Sequence, residues 1–401
     1  MPHSLAPSAT ASVAQTLHHW IELAVARGAS DIHFESSAAT FRIRFRIDGR
    51  LHIMAQQDTR MRDALLSRLK VLARLDIAEK RLPQDGRIQY PLAHRLVDLR
   101  VSSLPTVHGE KLVVRVLDHN RAPPSLQALG LEPQDEQQLR TALQHPHGMI
   151  LMTGPTGSGK TLSLYACLHV LNQTDVNIST IEDPCEMHLD GINQLSLNER
   201  AGLTFANALR ALLRQDPDVL MVGEIRDSDT AEIALQAALT GHLVLSTLHT
   251  HSAPATLMRL RHMGVAAFSV AASVLLVVAQ RLVRQLCAHC KQAWPRAQCE
   301  AFVNGLSAED RQHISATVLQ QPRLYEATGC AQCLQGYRGR TGLFQLMPID
   351  ATMQQLLLEE AGLPHLAQYN HTQGHPTLRQ AGYIKALQGI TSLQEVVLHT
   401  A

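Results

Sequence analysis

Two stretches of this chain place chemically capable residues at a fixed spacing. The first is Gly154-Pro155-Thr156-Gly157-Ser158-Gly159-Lys160-Thr161, which satisfies G-x-x-x-x-G-K-[ST]. Glycines in such a loop let backbone N–H groups close around a phosphate, and a helix starting there adds its positive N-terminal end. Lys160 would reach the outer phosphates, and the Thr161 hydroxyl would ligate Mg²⁺. Average residue frequencies produce the pattern by chance about once in a hundred chains of this length. The alternative is a plain Gly-rich turn. A strand-like GMILMTG before the loop and a helical TLSLYACLHVL after it argue for the phosphate site.

Binding a phosphate is not hydrolysing one, which needs a group to orient or deprotonate water. The strand DVLMVGE ends on Glu224, ISTIED ends on Glu182 and Asp183, and STLH ends on His249. Acidic and polar residues at the carboxyl ends of such strands face the ligand. Each of them could instead merely cap its strand or the helix that follows.

The second stretch is a pair of C-x-x-C units, Cys287/Cys290 and Cys330/Cys333. Four thiolates suit tetrahedral zinc, and two residues between cysteines make the knuckle turn of each half-site. The interval between the pairs is longer than the roughly 15–20 residues of common sites. Structural zinc, a redox pair and metal-free knuckles therefore stand side by side at this point. With four protein ligands a zinc ion would be structural, since no position stays open for water. His289 lies inside one knuckle and reads as a bystander; Cys167, Cys185 and Cys299 read as isolated core or surface thiols.

The elements that must carry these residues belong to a chain of 401 residues, too long for one compact core. Lys and Arg number 36 against 35 Asp and Glu, a net charge of +1, which lacks the basic bias of a nucleic-acid-backbone binder. The N-terminus has no basic segment followed by an apolar one, so no secretory signal is expected. The most apolar stretch, Val265–Ala279, is shorter than the ~20 residues that span a bilayer and reads as a buried helix. The chain is accordingly expected in the cytoplasm, where structural disulfides are rare.

An amphipathic helix is expected to end at Gly28, followed by two strands in FRIRFRIDGRLHIM around the Asp48-Gly49 turn. Arg42, Arg44 and Arg46 fall on one strand face and Phe41, Ile43, Phe45 and Ile47 on the other. A helix over about 58–75 and strands near 86–90, 95–102 and 111–117 complete an α+β domain over 1–117. The polar segment 118–125, with Pro123-Pro124, reads as a linker. Beyond it strands alternate with helices, the grammar of a mainly parallel sheet.

On these residues the chain resembles the ATPases of type II secretion and type IV pilus assembly, the GspE/PilB group. The resemblance rests on Gly28–His33, Arg44–Gly49 and Asp98–Ser102 in the first part. In the second it rests on Gly154–Thr161, Thr180–Pro184, Asp216–Asp218, Gly223–Asp227, Thr240–His242 and Ser246–Thr250. It implies an α/β fold with a PAS-like N-terminal α+β domain over 1–117 and a RecA-like P-loop NTPase core over 126–280. A tetracysteine zinc subdomain over 281–345 and a C-terminal helical region over 346–401 follow. Position by position, Glu224 resembles the Walker B carboxylate that handles magnesium and the attacking water, and Glu182 is the other candidate for activating water. His242 and His249 match the His box. Arg100 and Arg115 match first-domain arginines that reach the nucleotide, and Arg210 and Arg214, four apart on one expected helix face, match arginines near the phosphates. Leu162 stands where the family often has a second Thr, which leaves the Thr161 hydroxyl in place.

The resemblance implies a cytoplasmic Mg²⁺-ATP hydrolase, a homohexamer that drives extension of a pilus or pseudopilus, with ATP, Mg²⁺ and Zn²⁺ as its small molecules. Its implied partners are an inner-membrane platform protein and a docking protein, through which it would sit peripherally at the inner membrane. Assembly members carry a further N-terminal docking domain, and barely a dozen residues precede the first helix here, so most of that domain is expected to be missing. Retraction motors of twitching pili generally lack the cysteine insertion, so the two C-x-x-C pairs favour assembly. The competing readings are a weakly hydrolysing nucleotide-dependent scaffold, a pilus retraction motor, and a DNA translocase that the charge does not support.

Overall fold

In the computed structural model, residues 12–57, 61–92, 95–117, 123–198 and 201–400 are described. The chain divides into two compact units, Met1–Arg121 with Glu186–His188, and Ala122–Cys185 with Leu189–Ala401. Residues 118–122 of the expected linker lie outside the described residues.

The first unit opens with α1 (Val13–Ala26), started by a Ser12/Gln15 capping box. Then come β1 (Asp31–Ser36), β2 (Phe41–Ile47), β3 (Arg50–Gln57), α2 (Arg62–Leu72), β4 (Gln84–Leu92), β5 (Arg95–Thr106) and β6 (Gly109–Leu117). The six strands form one antiparallel sheet in the order β3-β2-β1-β6-β5-β4. One face is apolar and buried by the helices: Ile32, Phe34, Phe45, Leu99 and Val114 are fully enclosed, and Trp20 of α1 meets Phe45 edge-on. The opposite face carries the arginines.

Strand β1 was not anticipated. Its Ile32 and Phe34 alternate with Asp31, His33 and Glu35, a period-2 signal in a segment dense with charge. The charges are tolerated because Arg44 forks onto Glu35 at 2.7 and 2.8 Å. The helix expected over 58–75 is the shorter α2, and residues 58–60 lie outside the described ones.

The second unit begins with a 3-10 turn over Gln127–Leu129. It continues through α3 (Pro133–Leu143), β7 (Gly148–Thr153), α4 (Lys160–Leu171), β8 (Ile178–Glu182), β9 (Asn193–Ser196) and α5 (Phe205–Leu212). Next are β10 (Val219–Val222), α6 (Ser228–Leu239), β11 (Leu243–Leu248), α7 (Ala253–His262), α8 (Ala267–Ser273) and β12 (Val274–Leu286). An insertion holds β13 (Gln292–Ala293), α9 (Arg296–Gly305), α10 (Ala308–Gln312), α11 (Ala316–Gln320) and β14 (Tyr325–Glu326). The chain closes with β15 (Tyr337–Pro348), α12 (Ala351–Leu358), α13 (Leu363–Thr372), α14 (Leu378–Leu387) and α15 (Leu393–Thr400).

The main sheet runs β15-β12-β7-β11-β10-β8-β9, parallel throughout except for the β12–β15 pair. Strands β7, β8, β10 and β11 are buried at every position, as sheets covered on both faces require. The chain leaves β7 for the outer strands and returns to its other side as β12, so the sheet order reverses at β7. Ligands bind at such a switch point, outside the carboxyl ends of the strands.

Val265–Ala279 is not the single buried helix its composition suggests. Only Ala267–Ser273 is helical, and Val274 starts β12, held between β7 and β15. Period alone cannot separate an apolar helix from a two-sided strand, and the tertiary slot beside β7 decides it. The same pairing narrows the 281–345 segment: 281–286 and 337–345 are strands of the main sheet, so the cysteine-bearing insertion is 287–336. No helix among the described residues is long and apolar enough to cross a membrane.

Candidate functional site

The loop after β7 is shaped by three glycines with positive φ: Gly154 at 152°, Gly157 at 79° and Gly159 at 88°. A Cβ on Gly154 would sit 2.5 Å from the Gln280 carbonyl and 2.6 Å from Ser158 Oγ, so no other residue fits there. The loop folds back on its own lysine. Lys160 Nζ donates to the Gly154 and Pro155 carbonyls at 2.8 and 3.1 Å. Burial pushes the Lys160 amine down to about 8, with the Glu224 carboxylate opposing that shift. Ser158 Oγ is buried without a hydrogen-bond partner, an orphan at the mouth of an anion loop. Thr161 follows on the first turn of α4, half-buried, its hydroxyl unpartnered among the described residues.

Glu224 leaves the end of β10 two residues beyond Val222 and stands beside that loop's edge. Its backbone is pinned on both sides: Gly223 N donates to the Ile181 carbonyl at 2.8 Å and Ile225 N to the Thr247 carbonyl at 3.0 Å. One carboxylate oxygen accepts from Arg226, and the other lies 3.0 Å from His249 Nε2. Arg226 also donates to Asp183 at 3.3 Å and lies over the Phe205 ring at 5.9 Å. Burial alone would raise the Glu224 carboxyl, but hydrogen bonds from Arg226 and His249 outweigh it and hold the group below the usual range.

Glu182 is a different kind of carboxylate. It is 3% exposed and accepts from the Tyr165 hydroxyl, from Thr180 at 2.7 Å and from Gln194 at 3.1 Å. It ties β8, β9 and α4 together.

The other expected residues are spread further. His249 closes β11, but His242 precedes the same strand and so lies at its opposite end, its Nδ1 3.0 Å from the Ala237 carbonyl. Six residues of strand separate the two, about 20 Å. Helix α5 begins near the site, where Phe205 meets Arg226, and runs away from it. Arg210 is five residues along, about 7.5 Å down the axis, and exposed. Arg214 is not on that helix face, because α5 ends at Leu212; its guanidinium donates to the Arg210 carbonyl at 2.7 Å. Arg100 and Arg115 sit on β5 and β6 of the first unit, paired side by side on its arginine face.

Two residues of the site had no role from sequence. Arg226, within the Gly223–Asp227 phrase, is the cation that orients Glu224 and Asp183. Arg281, at the β12 edge of the loop, is 9% exposed and donates to the His251 carbonyl at 2.8 Å. Burial pushes its guanidinium pKa down. An arginine entering a long apolar run, as in AQRLVRQL, is the signal that marks it.

The four cysteines converge. Their sulfurs all lie within 4.8 Å of one another, the geometry of a metal-holding cluster. Cys287 and Cys330 are 3.9 Å apart, and Cys290 and Cys333 3.7 Å. Each pair closes a tight knuckle, Cys290 N bonding the Cys287 carbonyl and Cys333 N the Cys330 carbonyl, both at 3.3 Å. Cys167 is fully buried and its thiol is pushed up to about 12 by burial alone, which makes it inert. Cys299 belongs to the apolar core that joins the insertion to α14 and α15.

A parallel sheet with a glycine-rich phosphate loop at its switch point and a braced carboxylate on a neighbouring strand defines a P-loop NTPase fold. Residues 7–398 match the family model described as Type II/IV secretion system protein, and the chain belongs to that family. It is 49% identical over 93% of its length to the type IV pilus assembly ATPase PilB of Pseudomonas aeruginosa. It is 48% identical, again over 93%, to the type II secretion system ATPase E of Vibrio cholerae, covering 72% of that protein. The chain spans 64% of the PilB of Acinetobacter baylyi and 65% of the Pseudomonas protein. Among solved structures it resembles the pilus retraction motor PilT with bound ADP, at TM-score 0.63 and 25% identity, covering 95% of this chain and 96% of that one. The Legionella pneumophila ATPase DotB, at TM-score 0.72 and 20% identity over 98% of this chain and 97% of its own, shares the fold.

Proposed function

We propose that this chain hydrolyses Mg²⁺-ATP and powers assembly of a type IV pilus or a type II secretion pseudopilus. In this reading it works as a homohexameric ring, bound peripherally at the inner membrane through a platform protein and a docking protein. The observation that carries it is the Glu224 carboxylate, kept ionised between Arg226 and His249 beside the Gly154–Thr161 loop.

The residues divide the work as follows. Lys160 exchanges the Gly154 and Pro155 carbonyls for the outer phosphates, and the backbone N–H groups of Thr156, Gly157 and Gly159 with Ser158 Oγ line the anion. Thr161 is the protein donor for Mg²⁺, which when bound neutralises phosphate charge. Glu224 orients a water and accepts its proton, since it is ionised and only partly covered, whereas Glu182 is sealed and fully engaged. Arg100 and Arg115 supply planar charge that stabilises the transferring phosphoryl group. Arg210 and Arg214 are proposed, on the resemblance alone, to contribute near the phosphates.

For the cysteines we propose zinc. Tetrahedral Zn–S bonds of about 2.3 Å put sulfurs about 3.8 Å apart; three of the separations are 3.7–3.9 Å and all four sulfurs lie within 4.8 Å of one another. The ion would be structural, closing the base of the 287–336 insertion. The first unit we read as PAS-like, a helix-covered antiparallel sheet.

The test is steady-state ATP hydrolysis against protein concentration, with Lys160→Ala and Glu224→Gln beside the parent. Turnover per chain that rises with concentration and vanishes in both variants supports a ring-dependent motor. Binding without turnover at any concentration favours a scaffold. The likeness to PilT supports a second reading, a retraction motor. Deleting the gene separates the two: loss of surface pili means assembly, and accumulation of pili means retraction.

A further inference from the structure

The polar face of the first unit's sheet holds a row of guanidinium groups with few direct acidic contacts; Asp98 and Glu186 act on Arg100 only through space. Register puts Arg87 of β4 opposite Arg100 of β5, Arg100 opposite Arg115 of β6, Arg115 opposite Asp31 of β1, and Asp31 opposite Arg46 of β2. Directly paired residues point to the same face, so three arginines stand abreast at strand spacing, about 5 Å apart. Like charges in that arrangement repel.

Among the described residues, only one end of the row is ion-paired. Asp31, 6% exposed, accepts from Arg115 Nε at 3.1 Å, takes the Ser30 hydroxyl at 2.8 Å and lies 3.5 Å from Arg46 Nε. Arg115 is thereby held by its Nε, leaving its terminal nitrogens without a partner among the described residues; its side chain is 64% exposed. Arg87 and Arg100 have no hydrogen-bonded or ion-paired partner among the described residues. Arg100 Nε is buried and unsatisfied, which in a native fold points to a missing acceptor.

We propose that Arg87, Arg100 and Arg115 form one oligophosphate-binding row, with Asp31 and Arg46 as the brace that aims Arg115. Arg87 is the new member, an anion ligand that neither its position nor its surroundings marked in the sequence. A fork of planar donors on each of three adjacent strands matches the several oxygens of a phosphate chain. The phosphates belong either to a nucleoside triphosphate or to a free polyphosphate. Assigning them to the nucleotide rests on the reading of Arg100 and Arg115 given above; the row itself does not.

The test uses the full chain and inorganic tripolyphosphate, followed by calorimetry in a Lys160→Ala background that disables the loop site. Arg87→Ala should weaken this residual binding about tenfold, the order of one charge-assisted hydrogen bond, with Arg87→Lys recovering part of it. Unchanged binding in Arg87→Ala overturns the row. Arg87 is exposed, so the substitution leaves the core alone, and an unchanged melting temperature checks that. In the Lys160 parent, a fall in ATP turnover on Arg87→Ala at constant nucleotide affinity assigns the phosphates to the nucleotide. Lost tripolyphosphate binding with unchanged turnover assigns them to a free polyphosphate. A parent chain without any turnover refutes the motor reading, while the calorimetry still decides the row.

Discussion

His249 Nε2 lies 3.0 Å from one oxygen of Glu224 while Arg226 holds the other, so a carboxylate from β10 is fixed by one residue of β11's end and one of its own loop. Two residues, one beside it in its own loop and one 25 positions along the chain, thus set one group's charge and aim. The consequences can be measured.

Glu224→Gln keeps the shape and removes the base. Turnover should fall by about 10²–10⁴ while nucleotide affinity stays within a few-fold, since general-base catalysis acts on the chemical step. Fluorescent-nucleotide titration beside a phosphate-release assay separates the two quantities.

Because Arg226 and His249 hold Glu224 below the usual carboxylate range, its ionised form persists into mild acid. The acid limb of the turnover profile should therefore lie below the ordinary value of 4.5. Arg226→Ala removes the main stabilising partner and should move that limb upward. An unmoved limb would assign it to another group.

Burial holds the Lys160 amine at about 8. An anion prefers the protonated amine, so affinity should be flat below that value and weaken as pH rises through it, by up to about tenfold per pH unit. Proton uptake on binding above pH 8, read by calorimetry in two buffers, checks the sign.

Metal analysis should return one zinc per chain, and Cys290→Ser should abolish it. Loss of the ion should expose 287–336 to protease while the phosphate loop still binds nucleotide. Equal protease resistance before and after chelation would contradict a structural role.

Arg284 and Glu395 form a buried pair at 2.7 Å that docks α15 on β12, with Arg284 stacked on Tyr337 at 3.9 Å. Glu395→Gln should destabilise the second unit by about 3–5 kcal/mol, because it strands a buried charge. Burial would raise Glu395, yet hydrogen bonds from His399 and Arg284 lower it to about 2. A carboxylate depressed in the fold contributes stability above its unfolded value, so this contribution is full above about 4.5 and drains away as pH falls toward 2. Urea midpoints between pH 6 and 3 should show the loss, and the variant should not.

Residues adjacent in the chain were legible without a structure. The Gly154–Thr161 loop needs only neighbouring glycines and a helix behind them, and each cysteine knuckle is a local turn. The acidic ends of β8 and β10 followed from strands written as short apolar runs. Tertiary structure decided whatever depends on a partner far along the chain. It sealed Glu182 under Tyr165 and left Glu224 open, though one glutamate ends β8 and the other follows two residues after β10. His242 and His249 it set at opposite ends of β11, and it turned the second half of Val265–Ala279 into β12 by offering a slot beside β7. It aligned Arg87, Arg100 and Arg115, which share no local pattern, through hydrogen-bonded register. The physical reason is one of range. Backbone conformation and turn chemistry are set by residues a few positions apart, whereas burial, charge pairing and strand register are set by whatever the completed fold brings alongside.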